Sequence, residues 1–411
     1  MPVFGALSRG FSRNAEQGRL ARRLGAGICL FAACLASASL AREPDPPSDP
    51  CRRPEAGSAA AEPQDLRSND GVLSVDLALF NSKQPDGSTR YCYVTPDGAP
   101  SPTLRVKPGD QLILRLRNKL VDVAAAAASA DDSHDPAAPI AGPICVRKKQ
   151  ADACASGAMT PISTNLHFHG MTVPPICHQD DVIKTSIQPD DPFEYRMQIP
   201  ADQPPGLYWY HPHIHGFSKV QVLGGASGAL IVEGIERANR AVSGLPERVL
   251  IIRDQELLNP DAPPAKSEPV VPKNLVDNDG DAVNTGTGFG KPSKDLSVNF
   301  VPVPYPDYPP ATLTMKPRAR ELWRVLNASA ITYLNLAVLF RRTPQPLGIV
   351  AIDGVPINFN GSPAPEVNAV NHIGIPPGAR AEFIVEGPPA GVPALLVTRS
   401  VDTGPGGEND H

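Results

Sequence analysis

Two short histidine-containing stretches decide the fold: residues 164–170 (TNLHFHG) and residues 208–216 (YWYHPHIHG). Apolar and aromatic residues surround the histidines in both stretches, which predicts β-strands. Because successive side chains of a strand point to opposite faces, His167 and His169 share one face, and so do His211, His213 and His215. Neighbouring imidazoles on one face lie about 7 Å apart along the strand. Two such strands brought together would place at least four imidazoles in one small volume.

These imidazoles predict a transition-metal site. A single His-X-His in a strand is commonly an ordinary pair of surface or core residues, but the two stretches hold five of the nine histidines in 411 residues. Imidazole suits zinc, copper, iron and nickel. A three-histidine zinc site with Asp180 or Asp181 as the base of a hydrolase is one alternative. The spacing of the histidines alone does not decide between these metals.

The residues around the histidines resemble the first cupredoxin domain of bacterial multicopper oxidases. The resemblance rests on HFHG at residues 167–170, on PPGLYWYHPHIHG at residues 204–216 and on the Gly-rich stretch QVLGGASGALIV at residues 221–232. It covers both motifs and their order, and it extends from about Leu73 to the C-terminus. It implies a ligand of the type 2 copper at His167 and ligands of the type 3 copper pair at His169, His211 and His213.

Two further residues near these motifs are interpreted through the same resemblance. Asp180 resembles the family's acidic residue that helps to move protons to oxygen at the copper cluster, and the alternative is a solvated turn. His215 is an additional histidine of the second motif, which we interpret as structural or as a neighbour of the ligands. In this family, one-electron oxidation of a substrate such as a phenol or a metal ion is coupled to the four-electron reduction of O₂ to water.

The whole chain predicts an all-β fold of two tandem cupredoxin-like Greek-key β-sandwiches. Apolar residues alternate at residues 73–79, and residues 103–118 form two strands joined by a Pro-Gly turn. We assign residues 66–235 to cupredoxin domain 1 and residues 245–400 to cupredoxin domain 2, which we interpret as a scaffold. The 48 prolines fit short strands and loops, and no long amphipathic helix is expected.

The N-terminal residues predict export. Residues 1–41 combine five arginines, a short apolar run and small residues at the end, which is typical of a secretory signal peptide. The apolar run is shorter than the roughly 20 residues of a membrane span, and no other segment is long enough. We therefore expect a periplasmic or secreted protein. Residues 42–65 are rich in proline, alanine and glutamate, which predicts a disordered linker.

An exported protein can form disulfides, and five cysteines follow the predicted signal peptide: Cys51, Cys92, Cys145, Cys154 and Cys177. We expect Cys145 to pair with Cys154, because a short polar loop separates them. Cys92 is expected to pair with Cys177, with Cys51 as the rival partner. The odd number leaves at least one thiol free or mispaired.

The charge balance argues against a nucleic-acid partner. The whole chain has a formal net charge of −5, and without residues 1–41 it has 33 basic and 42 acidic residues. No basic stripe is apparent in the sequence, so nucleic-acid binding is not expected.

The C-terminal end departs from the resembling family. Its oxidases usually carry a third cupredoxin domain with a His-Pro-X-His-X-His motif and a His-Cys-His motif, and neither motif occurs in this sequence. We therefore expect a truncated or partial oxidase without a type 1 copper, in which residues 401–411 begin the linker to the third domain. A third domain or another subunit would then complete the cluster. The alternative is a non-enzymatic two-domain copper-binding protein.

Overall fold

The computed structural model describes residues 3–4, 49–122, 152–263, 292–361, 366–399 and 401. Within these ranges the helical elements are short: α1 (Ser218–Leu223), α2 (Ile235–Ala238) and two 3₁₀ turns (Arg240–Val242 and Phe359–Gly361). None of the described helices is long and apolar enough to cross a membrane. A two-residue strand, β1 (Val3–Phe4), pairs with the last strand, Ala394–Thr398. The expected all-β fold is confirmed.

The first sandwich consists of two sheets. Its strands are β2 (Asp65–Arg67), β3 (Val72–Lys83), β4 (Thr89–Val94), β5 (Thr103–Val106), β6 (Gln111–Lys119), β7 (His167–His169), β8 (Pro192–Gln198), β9 (Gly206–His211) and β10 (Gly228–Val232). One sheet has the order β4-β3-β6-β8, and the other has the order β2-β5-β10-β9-β7. The second sheet places both histidine strands side by side at one edge.

The second sandwich follows in the chain. Its strands are β11 (Glu247–Gln255), β12 (Asp295–Val298), β13 (Val301–Val303), β14 (Arg320–Asn327), β15 (Leu334–Phe340), β16 (Thr343–Gln345), β17 (Leu347–Ile352), β18 (Val355–Pro356), β19 (Asn368–Val370), β20 (Ile373–Ile375), β21 (Arg380–Glu386) and β22 (Ala394–Thr398). The larger sheet has the order β13-β12-β11-β14-β21-β17-β18, with β19 paired to β17. The smaller sheet has the order β1-β22-β15-β16, with β20 paired to β15. The bounds 66–235 and 245–400 for two domains stay a proposal.

The alternation of apolar residues produces the first core. In β3 the side chains of Leu73, Val75, Leu77 and Leu79 are buried, while the residues between them face outward. Their parallel neighbour β6 has the same alternation, and its leucines join the same hydrophobic cluster. A strand with one buried face has a fixed register, because a slip of one residue would expose every apolar side chain.

The two disulfides differ from the expected pairing. Cys51 bonds Cys92, and Cys154 bonds Cys177. The expected bond between Cys92 and Cys177 was therefore wrong, and so was the bond of Cys154 to Cys145, which lies outside the described residues. The pairing of Cys154 with Cys145 was predicted from their proximity in the sequence. The partner of Cys154 is instead 23 residues away, in the loop after β7.

The expected disorder of residues 42–65 was wrong where the structure describes them, from Asp49 onward. Cys51 is 2% exposed, and Ala60 packs into the core of the second sandwich. The Glu62 carboxylate accepts a hydrogen bond from the backbone N–H of Val249, at 2.9 Å. The composition of this segment suggested a linker, but the disulfide and these contacts hold it against both sandwiches. The predicted signal peptide (apart from Val3 and Phe4), residues 42–48, and residues 402–411 lie outside the described residues.

The sandwiches meet through an apolar layer. Residues of β9 and β10 pack against residues of β11 and β14 in one buried cluster: Leu207, Trp209, Ala229, Ile231, Val249, Ile251, Leu326 and Ala328. The strand β9 therefore has one face in the core of the first sandwich and the other against the second sandwich. The second sandwich thus supports the strand that carries His211.

A network of charges crosses the same interface. Arg324 is 1% exposed on its side chain and bonds Glu247, at 2.8 Å, and Glu382. Glu247 also accepts a 2.8 Å hydrogen bond from Arg105 of the first sandwich. The second oxygen of Glu382 accepts the backbone N–H of Leu207, at 2.7 Å, in β9. The charged network of the second sandwich is thereby hydrogen-bonded to β5 and β9 of the first sandwich.

This network makes the protein sensitive to acid. Burial raises the pKa of Glu247, but the ion pairs with Arg324 and Arg105 outweigh it and lower the pKa to about 2. A carboxyl group with a lowered pKa stabilises the fold above its ordinary pKa of 4.5, and this stabilisation is lost as the pH falls from 4.5 to about 2. We expect the free energy of unfolding, measured by urea titration, to fall across this window.

The variant Glu247→Gln serves as the comparison for this prediction. Burial raises the pKa of Glu382, which changes stability with pH in the opposite direction, and both proteins contain Glu382. The difference between the native protein and Glu247→Gln therefore reports the contribution of Glu247, including its repulsion of Glu382. The prediction fails if both proteins lose stability equally between pH 4.5 and 2.

Candidate metal centre

The candidate centre lies on the face of strands β7 and β9 that points away from the core of the first sandwich. The two strands are antiparallel, with His167 opposite His211 and His169 opposite Trp209. Directly opposite residues share a face, and so do residues two apart, so the three histidines and Trp209 are on one side. On the other side, Phe168 and Tyr210 are buried in the core of the first sandwich. The alternation expected from the sequence is therefore confirmed for both strands.

Strand β9 ends earlier than expected. It ends at His211, because Pro212 has no backbone N–H to continue the ladder. The prediction that His213 and His215 share the strand face of His211 was therefore wrong. The turn still places the ring of His213 at 5.4 Å from that of His167, measured between ring centroids. His215 is exposed, and its described hydrogen bond runs from its backbone N–H to the sulfur of Met159, at 3.2 Å.

The histidine rings converge on one point. One ring nitrogen from each of His167, His169 and His211 lies within 4.8 Å of the others. The Nδ1 of His169 is 3.3 Å from the Nε2 of His211. The ring centroids of His167 and His211 are 5.2 Å apart. Three imidazoles at these distances surround a space of the size that a metal ion takes.

Hydrogen bonds at Nδ1 orient the rings of His167 and His211 so that their Nε2 atoms point towards this space. His211 donates from Nδ1 to the carbonyl oxygen of Pro212, at 2.9 Å, which leaves the lone pair on Nε2. His167 donates from Nδ1 to Asp180, whose carboxylate oxygens both lie at 3.0 Å. Metal-binding histidines typically have such a partner on the second nitrogen, which fixes the tautomer and the ring orientation. The arrangement fits a metal ion with imidazole ligands.

Asp180 is positioned by the loop after β7. One of its oxygens also accepts the backbone N–H of Phe168, at 2.9 Å. The disulfide of Cys177 fixes the same loop three residues earlier. Asp180 is thus a hydrogen-bonded residue beside His167, with its side chain 12% exposed, and the alternative of a solvated turn is not supported.

Burial keeps the rings of His169 and His211 uncharged. Burial lowers the pKa of His169 to about 4, and the nearby Arg380 guanidinium and the neighbouring imidazoles add to the effect. Burial also holds the pKa of His211 well below its ordinary value, together with His167. Neutral imidazole is the form that binds a metal ion. These two rings are therefore ready to bind metal at neutral pH without losing a proton.

The second sandwich contributes residues that the sequence did not reveal. Arg380 donates from Nε to the carbonyl oxygen of Leu207, at 3.1 Å, at the start of β9. Gly170 has φ +85°, and a Cβ on it would overlap Nη2 of Arg380, which explains the glycine after His169. Gly378 lies against the ring of His169. No local pattern could have indicated these contacts, because they join residues more than 170 positions apart.

Trp209 completes the inner wall. Its indole stacks on His211, with ring centroids 4.0 Å apart, and on His169, with centroids 5.0 Å apart. The buried indole N–H has no hydrogen-bond partner among the described residues. The stacking restricts both rings to the orientation that directs their nitrogens inward.

A second group of possible ligands, Cys154, Cys177 and His178, lies elsewhere in the described residues. The two sulfurs form a disulfide, so no thiolate is available to a metal. His178 stacks on Phe193, with ring centroids 4.7 Å apart, and its Nδ1 lies 2.7 Å from the carbonyl oxygen of Glu194. We interpret this group as structural.

Together, the fold and the histidine cluster define a cupredoxin-like all-β protein with a candidate copper centre. Residues 158–237 match the family model described as multicopper oxidase, and this segment contains both histidine motifs and Asp180. Copper resistance protein A of Escherichia coli is 26% identical over 153 residues, which are 36% of this chain and 17% of that protein. The expected resemblance to multicopper oxidases is confirmed.

Solved structures agree with the fold. The 2F4 variant of the multicopper oxidase McoA from Aquifex aeolicus covers 80% of this chain and 57% of its own, with 18% identity and a TM-score of 0.50. The laccase-like multicopper oxidase CueO from Ochrobactrum sp. covers 85% of this chain and 62% of its own, with 20% identity and a TM-score of 0.51. The chain therefore spans less than two thirds of the length of these relatives.

The bond between His167 and Asp180 gives a specific prediction. In Asp180→Asn, the amide oxygen can still accept from Phe168, which turns the amide NH₂ towards His167. The NH₂ group cannot accept from Nδ1, and the neutral amide oxygen accepts the Nδ1 proton more weakly than the carboxylate does, so the proton of His167 is no longer firmly held away from the centre. We expect copper affinity, measured by competition with a chelator, to fall roughly 10- to 100-fold.

The matched control for this variant is Asp181→Asn. Asp181 accepts a hydrogen bond from the backbone N–H of Lys184, at 3.1 Å, and has the same charge as Asp180. Its substitution should leave copper affinity unchanged. Equal losses in both variants would show that the charge of the loop, and not the tautomer of His167, sets the affinity.

Proposed function

We propose that the chain is a copper-binding oxidoreductase that couples one-electron oxidation of a small substrate to the reduction of O₂ to water. The observation that carries the proposal is the convergence of ring nitrogens from His167, His169 and His211 within 4.8 Å. The same residues stand at the motif positions of a copper cluster in the resembling family. His167 would hold the type 2 copper, and His169, His211 and His213 would hold the type 3 pair.

Bound copper would supply electron transfer and a binding place for O₂. The protein residues hold and orient the ligands: Asp180 fixes the proton of His167 on Nδ1, and Pro212 does the same for His211. The carboxylate of Asp180 lies beside the centre, where it can hold a proton for the reduction of oxygen. Trp209 and the second sandwich keep water from the inner wall, since Trp209 is 3% exposed.

The open wall of the centre is where further ligands would enter. His213 is exposed, so the centre is open to solvent beside it. We propose that a third cupredoxin domain or another subunit supplies the other wall and the type 1 copper. The reducing substrate, a phenol or a metal ion, would deliver its electrons there.

We also propose that the protein works after export, in the periplasm or outside the cell. Both disulfides of the described residues fit an oxidising compartment. The bond of Cys154 to Cys177 holds the loop that carries Asp180, so the centre benefits directly from oxidising conditions.

Copper analysis with optical and EPR spectra and an oxygen-uptake assay tests the proposal. For this chain alone, we expect bound copper, no intense blue absorption band and negligible oxygen uptake with a phenol. The protein isolated from its own cells, with any partner that it carries, should consume O₂. Copper binding without oxygen uptake in that material would favour the non-enzymatic copper-binding protein.

A further inference from the structure

Two neighbouring cavities lie between the sandwiches, with volumes of about 290 and 490 Å³. They share three residues in their walls, which are Arg53, Arg253 and Phe300. Ligand sites commonly have such volumes and commonly lie where two domains meet. None of the histidines of the candidate metal centre lines either cavity.

The guanidinium of Arg253 is incompletely paired. Arg253 belongs to β11 and is 2% exposed. Its Nε donates to the hydroxyl oxygen of Ser227, and its Nη2 donates to the carbonyl oxygen of the same residue, both at 2.8 Å. Its Nη1 has no hydrogen-bond partner among the described residues. A buried charged donor without a partner is destabilising, so a counter-charge in this position would be favourable.

Phe300 covers this guanidinium in a strained conformation. Asn299 and Phe300 form the turn between β12 and β13, with φ of +47° and +70°. The left-handed region suits asparagine and glycine but is unfavourable for a bulky residue. The ring of Phe300 lies 3.9 Å from the guanidinium of Arg253 and 4.0 Å from that of Arg53. The strained turn therefore holds the ring of Phe300 against the guanidinium of Arg253.

The cavity walls favour a negative ligand. Arg52 and Arg90 add two more basic side chains to them. The acidic side chains of the walls already have partners: Glu62 bonds Arg248, Glu256 bonds Lys294, and Asp254 accepts the backbone N–H groups of residues 330–332. Burial lowers the pKa of Arg253 to about 9, so it is still charged at neutral pH.

We propose that this cleft binds a small oxyanion, the carboxylate or phosphate group of an organic ligand, on Arg253 and Arg53 when Phe300 moves aside. The planar fork of a guanidinium matches both groups with two parallel hydrogen bonds. The incompletely paired Nη1 of Arg253 would gain its partner. The cavity beside it has room for the organic part of the ligand.

Calorimetric titration of the full chain, without added metal, tests this proposal with three probes. Inorganic phosphate and benzoate represent the two oxyanion classes, and chloride at matched ionic strength controls for general screening. We expect saturable binding of phosphate, of benzoate or of both, and none of chloride. Binding of one probe only would identify the class of ligand. Absence of binding by both oxyanions, or an equal response to chloride, would overturn the proposal.

Three variants localise the binding. Arg253→Met and Arg253→Lys should weaken it roughly 10- to 100-fold, because each removes the guanidinium fork. Arg115→Met is the control, since Arg115 is an exposed residue of β6 whose side chain pairs with Glu194, and it should bind as the native chain does. Unchanged binding in folded Arg253→Lys would overturn the assignment, even if Arg253→Met fails to fold.

Phe300→Gly tests the covering role. Glycine adopts φ of +70° without strain, and its lack of a side chain exposes Nη1 of Arg253. The ligand would no longer have to displace a ring that interacts with two cations, so affinity should rise roughly two- to tenfold. Weaker binding in Phe300→Gly would show that the ring contacts the ligand and does not cover the site.

Discussion

Replacing His211 by alanine is expected to abolish copper binding at the candidate centre. His211 is 7% exposed, lies opposite His167 in the sheet and directs Nε2 towards His169. Its loss removes a ligand and not a supporting residue. The copper affinity should therefore fall by more than the roughly 10- to 100-fold that the loss of a supporting partner costs. His167→Ala should have a similar effect. Competition with a chelator and EPR of the copper-loaded protein measure both.

The matched control for these variants is His215→Ala. This histidine belongs to the same stretch and is exposed, and its hydrogen bond to the sulfur of Met159 comes from the backbone N–H, which alanine keeps. Its copper affinity should equal that of the native chain. If His215→Ala loses as much copper as His211→Ala, the ligands lie in the turn after β9 and not on the strand face.

Replacing Arg324 by methionine is expected to have the largest effect on stability. The side chain is 1% exposed and compensates two carboxylates, those of Glu247 and Glu382. Removing one partner of a buried ion pair typically costs about 3–5 kcal/mol, because a buried charge is left without compensation. Urea denaturation of the metal-free chain should show a loss of this size.

A double variant tests the reason for this loss. Adding Glu382→Gln to Arg324→Met removes one of the uncompensated charges, and the amide oxygen can still accept the N–H of Leu207. Part of the stability should return. The exposed pair of Arg115 and Glu194 is the control, since Arg115→Met should cost less than about 1 kcal/mol. If Arg324→Met costs no more than Arg115→Met, the network does not hold the sandwiches together.

Local patterns predicted the strands and predicted which face of each strand carries the histidines. The alternation at residues 73–79 predicted the inner part of β3, and the histidine motifs predicted the faces of β7 and β9. Both depend on the two-residue period of a strand, which a short stretch of sequence carries. The end of β9 at Pro212 was also within reach of sequence reasoning, because proline cannot continue a ladder, but the regular spacing of three histidines suggested a longer strand.

The long-range contacts could not be predicted in the same way. The partners of Cys154 and Arg380 are fixed by how the loops and sandwiches pack, and composition does not report that packing. The segment after Asp49 looked like a linker because its residues are typical of one, yet the disulfide of Cys51 and the contacts of Ala60 order it. The role of Asp180 in orienting His167 became visible only when the loop was placed beside β7.

The most direct test of the copper centre is a crystal of the chain grown with Cu(II) and measured at the copper absorption edge. We expect anomalous density between β7 and β9, with one copper about 2 Å from Nε2 of His167 and copper of the type 3 pair about 2 Å from Nδ1 of His169 and from Nε2 of His211. Copper bound at His215 or His178 instead, or no copper at the three convergent nitrogens, would contradict this expectation.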